Sequence, residues 1–351
     1  SHSSVYFSIS TRFSVPLAPS LSVRSPRIYA SVIGLTLLAI GVGLWNGVSL
    51  GGAAFTILLL AVVLTGMPHG AVDHLVAAEL YGLRFTWADQ ARFYAGYLGL
   101  MAVYGMVWIW APVAALMAFL VMTMYHFGQA DLAYWKLPSV RGRIVYLSRG
   151  LFLIGLPIAA FPSIVAPIFD AMAGGHLSAW PLLTTSPTVV IVALLLQHVI
   201  VLGAVARAAS VTWADVGREG LNVAVLAALF GTVHPLVAFS VYFCLWHSLG
   251  HILQLLRFFR ERKTGPTTLL GFYRQAALFT VLPFVGLGGL YWLTPSVGRG
   301  DQMVALLFIL IAIMTLPHMV IVERMYWERR QGDGGGANTK KPPAARGDGR
   351  L

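Results

Sequence analysis

Apolar segments long enough to cross a lipid bilayer recur along most of the chain, and nothing else limits the fold as much. About 20 apolar residues span the ~30 Å hydrocarbon core, where a helix satisfies its own backbone groups. We read ten segments, at about 28–45, 51–66, 92–110, 113–129, 145–166, 188–207, 220–231, 235–257, 272–293 and 303–323. The seventh is short, so both a full span and a re-entrant piece stay open for it. Charge is scarce: 58% of the residues are hydrophobic and 11% charged, against about 25% charged in an ordinary soluble domain. The fold class that follows is all-α, a polytopic membrane bundle of about ten transmembrane helices.

The connections alternate in charge, which supports that count. The first (near Asn46), third (Pro112), fifth (167–187) and seventh ("GTVHP") contain no Lys or Arg. The even-numbered ones carry Arg84 and Arg92; Lys136, Arg141 and Arg143; Arg207 and Arg218; then Arg257, Arg260, Arg262, Lys263 and Arg274. The positive-inside rule puts both termini in the cytoplasm. The formal net charge of +11 then faces anionic lipid headgroups. With no aromatic-basic reading surface in view, nucleic acid is not an expected partner. Residues 1–27 read as a polar tail, 28–325 as the membrane domain and 326–351 as a disordered basic tail. A salt-loving archaeal protein would carry acidic loops, so these basic ones point to a bacterial inner membrane. The single cysteine, Cys244, excludes a disulfide framework and a cysteine-rich metal site.

Polar residues inside such segments are costly and mark functional sites by default. The stretch "GMPHGAVDH" (66–74) is the clearest case. At 1.5 Å per helical residue, His69, His126, His247, His251 and His318 fall roughly 18–27 Å from the outer surface. All sit on segments running in the same direction. His74 lies about a turn deeper. His2 is in the tail, His176 and His234 fall on the outer face, and His198 lies near mid-membrane. Five imidazoles at one depth either bond to neighbouring helices or hold a metal, for which neutral imidazole is the usual ligand. "WHSLGH" places His247 and His251 four residues apart, on one face of a helix. Pro68 disturbs the helix and Gly70 permits unusual dihedrals, so the pair could aim His69 inward. Asp73 either accepts an N–H from a ligand imidazole or caps the cytoplasmic end. Asp131 is expected at the interface, and Glu323 at the end of the tenth span.

"GMPHGAVDH", "YHFGQAD", "WHSLGHI" and "PHMV" together resemble the signature stretches of the Brp/Blh family of β-carotene 15,15′-dioxygenases. The likeness runs from about residue 30 to 325. It implies an enzyme that uses one Fe(II) per chain and O2 to cut β-carotene at its central double bond into two all-trans-retinal molecules. In that family retinal typically supplies a microbial rhodopsin. The resemblance makes His69, His126, His247 and His251 the iron ligands, with His74 and His318 behind them or as a replacement ligand. The chemistry is consistent: splitting an unactivated polyene needs a redox metal, and the substrate dissolves only in the bilayer. Tyr125, Phe127, Tyr242, Phe243 and Trp246 are candidates to line its slot, with Tyr94 and Trp108 as further possibilities. A metal in the cytoplasmic half requires a tilted or in-plane tunnel, with lateral entry between spans.

Two other classes compete. A di-iron desaturase or hydroxylase uses eight or more histidines in HxxxH and HxxHH clusters, whereas this chain has one HxxxH and no HxxHH. A bis-histidine haem or quinone protein needs histidine pairs facing each other across helices, which these positions could supply; a transporter would more often show an internal inverted repeat, and no convincing repeat is visible.

Overall fold

The computed structural model describes residues 25–47, 50, 52–135, 137, 139–175, 177, 185–207, 211–293 and 300–334. The helices are α1 (Pro26–Asn46), α2 (Gly52–Tyr81), α3 (Trp87–Trp110), α4 (Pro112–Leu132), α5 (Ser139–Ala160), α6 (Pro162–Met172), α7 (Pro187–Arg207), α8 (Trp213–Thr232), α9 (Pro235–Arg262), α10 (Leu269–Leu293) and α11 (Asp301–Gly334). Among the described residues there is no strand, and nine helices are long and apolar enough to cross a membrane. The protein is a polytopic helical bundle. His2 and His176 lie outside the described residues.

Three elements depart from the hydropathy pattern. The short seventh segment is the second half of α8, a helix of 20 residues and so about 30 Å long. Its first half escapes hydropathy because it carries Asp215, Arg218, Glu219 and Asn222. Glu219 and Asn222 are nevertheless buried, satisfied by partners on other helices. The fifth segment, expected over 145–166, is two helices. Phe161 leaves helical geometry (φ −132°, ψ 56°) and Pro162 opens the 11-residue α6, because the residue before a proline is pushed out of the α region. At the other end of the chain, α11 runs past residue 325 to Gly334. Ion pairs from Glu328 to Arg324 and to Arg262 of α9 accompany this extension.

Local chemistry sets the helix ends. The same four residues, Thr-Trp-Ala-Asp, open α3 and α8: Thr86 and Thr212 cap them by accepting the N–H of Asp89 and Asp215. His234 caps α9, its Nδ1 accepting the Leu236 N–H at 3.3 Å. Burial lowers the pKa of this imidazole, which preserves the lone pair that the bond needs. Trp45, Trp87, Trp110, Trp213 and Trp292 stand exposed at helix ends, as indole does at a membrane–water boundary. Inside the bundle, α4 and α5 pack closely. A side chain at Gly128 would strike the Tyr146 carbonyl.

Candidate metal centre

Two helices that carry candidate ligands leave α-helical geometry beside them. In α2 a π turn spans Val62–Gly66, where the Met67 N–H reaches back five residues to the Val62 carbonyl. Pro68 has no N–H to offer the Leu64 carbonyl, and the Tyr273 hydroxyl of α10 donates to it at 2.8 Å. In α9 a π turn spans Tyr242–Ser248, and the Leu249 N–H reaches Cys244. One extra residue in a turn rotates everything beyond it by about 100°. The two π turns pack on each other. Gly66 makes this possible, since any side chain there would meet the Phe243 ring. Gly70, in contrast, lies in an ordinary helical turn, with the His318 ring beside it.

This packing brings five imidazoles together from four helices. Ring centroids of His69 and His318 are 5.0 Å apart, His318 and His126 5.2 Å, His126 and His247 5.0 Å, and His247 and His69 5.2 Å. The four rings thus close a loop, each roughly perpendicular to the next. His251 joins from α9, 5.5 Å from His69 and 5.6 Å from His318. All five are buried. One nitrogen each of His69, His126 and His318 lies within 4.8 Å of the others. Two nitrogens on one ion stand no more than about 4.2 Å apart at metal–imidazole distances of about 2.1 Å, so small ring adjustments suffice.

The hydrogen bonds fix which nitrogens face inward. His69 Nδ1 stands 3.4 Å from the Thr65 carbonyl, which can only accept, so the proton is on Nδ1 and the lone pair on Nε2. His318 Nδ1 donates to both Asp73 carboxylate oxygens at 3.0 Å, leaving Nε2 as its lone pair. Asp73 also accepts the Tyr97 hydroxyl at 3.0 Å. It therefore supports a histidine of α11 rather than His69 on its own helix. His318 Nε2, His126 Nε2 and both nitrogens of His247 are buried without a hydrogen-bond partner. Orphaned donors and acceptors are rare in native interiors. The mutually close nitrogens of His69, His126 and His318 fit a transition-metal ion; His247 and His251 have their rings beside this group but lie outside it.

His74 is not in the cluster; it lies against Phe279 and Tyr94. His198 bonds Ser148 and stacks on Phe152. Asp131, expected at the interface, is nearly buried and bonds Arg149 of α5 and Tyr242 of α9. Glu323 accepts from Gln129 of α4.

A cavity with about 640 Å³ of empty space opens beside the imidazoles, walled among others by Phe127, Phe243, Tyr97 and Met314. A second, with about 650 Å³, adjoins it and shares Phe119, Thr123 and Phe239. Of the proposed lining residues, Phe127 and Phe243 are in the first wall, while Tyr125, Tyr242 and Trp246 are in neither. Tyr242 points its hydroxyl at Asp131, and Trp246 donates to Thr36 of α1 at 3.0 Å. Trp108 packs against Tyr104. Phe239 was missed, although its signal was present. Phe239, Phe243, His247 and His251 follow one another at intervals of four, and their rings run nearly parallel, 5.3, 5.7 and 6.4 Å apart.

The family model described as β-carotene 15,15′-dioxygenase matches residues 60–326, which include every one of these histidines. The chain belongs to the β-carotene 15,15′-dioxygenase family. It is an enzyme of that family. One relative, the "probable beta-carotene 15,15′-dioxygenase Blh" of Halobacterium salinarum, is 31% identical over 91% of this chain and 98% of its own length. Another, a β-carotene 15,15′-dioxygenase from an uncultured marine bacterium, is 24% identical over 76% of this chain and 92% of its own. No solved structure matches the chain.

Proposed function

We propose that the protein cleaves β-carotene at its 15,15′ double bond with O2, giving two all-trans-retinal molecules, at one Fe(II) held among the clustered imidazoles. The observation that carries this reading is the set of buried imidazole nitrogens without partners, gathered beside a largely apolar cavity. Family membership supports the substrate. Bound iron would supply the activation of O2, which side chains alone cannot provide; zinc, with no redox chemistry, could not. The reaction balances as it stands: one C=C and one O2 become two carbonyls.

The protein's own residues do the rest. His69, His126 and His318 offer the closest donor set, and His247 and His251 complete the cluster. Asp73 keeps the His318 proton on Nδ1. Phe127, Phe243 and Phe239 give the polyene an apolar wall and keep water from the reacting carbons. Five rings gathered about one point favour a single ion over a di-iron pair. Rings touching edge to face leave no slot for a haem macrocycle.

The apolar substrate enters laterally from the bilayer of a bacterial cell membrane, and the retinal serves a microbial rhodopsin. The test is expression in a β-carotene-producing bacterium that lacks other cleavage enzymes. Loss of orange colour with accumulation of retinal is the expected result. Unchanged pigment, or shortened products other than retinal, would contradict the reading.

A further inference from the structure

The second cavity poses a question that cleavage chemistry alone does not answer. β-Carotene has many similar double bonds, and something must choose one. Nothing on the ring of imidazoles can do so, because a polyene looks alike at each bond. The choice has to come from where the substrate stops.

The second cavity has the form of such a stop. Its walls come from α4, α5, α6, α9 and α11. Val165, Ile168 and Met172 of α6 and Leu236 of α9 are buried there. The other side chains lining it are apolar, apart from Thr123, whose hydroxyl is already spent on the Phe119 carbonyl. Phe119 and Phe239 stand where it meets the metal cavity. Pro235, in its wall, lies twelve residues before His247 on the same helix, a distance of about 18 Å. A substrate about as long as the ~30 Å hydrocarbon core has a half-length of about 15 Å. A half-substrate pushed to the end of this chamber therefore leaves its middle at the imidazoles, and that half runs along α9, not in the tilted or in-plane direction expected from the depth of the histidines.

We propose that the α6 end of the second cavity is a length stop: it receives one half of the carotene, and its depth sets the bond presented to the metal centre. This rests on the proposed cleavage reaction and adds the residues that determine its position. Val165 and Ile168 are specificity residues, remote from the metal, and the broken helix after Phe161 exists to bring them across the chamber.

The test is product analysis with purified, iron-loaded full-length protein. Val165→Phe fills the end of the chamber, so the substrate seats less deeply and the neighbouring double bond reaches the imidazoles. The expected products are an eighteen-carbon methyl ketone and a twenty-two-carbon aldehyde, formed with the same O2 uptake, while retinal formation falls roughly 10²-fold as for an ångström-scale misplacement. Val165→Leu, a smaller insertion for the case in which Phe prevents folding, gives the same unequal pair in lower proportion. Retinal as the sole product, or no product from a variant that folds and holds wild-type iron, overturns the stop. If the unaltered protein makes no retinal, the cleavage reading itself has failed instead.

Discussion

Two buried polar clusters lie within this bundle, and they are built on opposite principles. Around Arg149, opposite charges meet. Its Nε donates to Asp131 at 3.0 Å, its Nη1 stands 2.6 Å from Glu219, and its guanidinium lies over Phe152. Asn222 donates to Glu219 and accepts from Tyr29 at 2.7 Å, and Tyr242 donates to Asp131. Five helices contribute, and the protein supplies both halves of each interaction. Around His318 the complement stops short: Asp73 takes its Nδ1–H, but on the inner side imidazole rings face other imidazole rings and several nitrogens have no partner at all. A membrane interior accepts polarity when it is complemented. Where every group is complemented the cluster is architecture, and where inward nitrogens are left over the complement comes from outside the chain.

The sharpest way to break this comparison is at the imidazoles. His69→Ala, His126→Ala, His247→Ala and His318→Ala should each lose most of the bound iron and more than about 10²-fold in activity, beyond the loss typical of outer-shell partners. Iron assay and retinal formation measure this. A His318→Ala variant that retained wild-type iron would return His318 to the outer role read from sequence. Next in size is Arg149→Ala, which strands Asp131 and Glu219 and should cost about 3–5 kcal/mol. Thermal unfolding in detergent should register the loss, while the folded fraction keeps its iron. Asp73→Asn should weaken iron binding about 10–100-fold, read by competition with a chelator, with thermal stability affected less than by Arg149→Ala. The smallest effect is Tyr242→Phe, which removes one hydrogen bond and should cost about 1 kcal/mol. A large loss of iron there would mean that the two clusters are not separable.

Much of this was legible in the sequence, for reasons that also explain what was not. Apolar runs and loop charge gave the helices, since a lipid environment leaves the backbone few options. The histidine layer followed from depth alone. The ranking within it did not. The resemblance placed His318 behind the others, and its contact with Asp73, 245 positions away in the chain, is one that no local spacing displays. The π turns at Val62–Gly66 and Tyr242–Ser248 rotate the faces that a 3.6-residue period assigns, so aromatic neighbours such as Tyr242 and Trp246 turned to structural partners. Helix α8 looked short because hydropathy counts Glu219 as polar whether or not Arg149 awaits it. The break at Phe161–Pro162 was visible as a proline in an apolar run, but its use as a chamber end required the tertiary packing.

The central claim is that imidazoles from α2, α4, α9 and α11 enclose a single redox ion. X-ray absorption at the iron edge, on the purified full-length chain with metal counted per chain, tests it most directly. The account predicts one iron per chain with nitrogen neighbours and the outer-ring scattering of several imidazoles. Two irons per chain, or an iron whose surroundings lack imidazole, would contradict it.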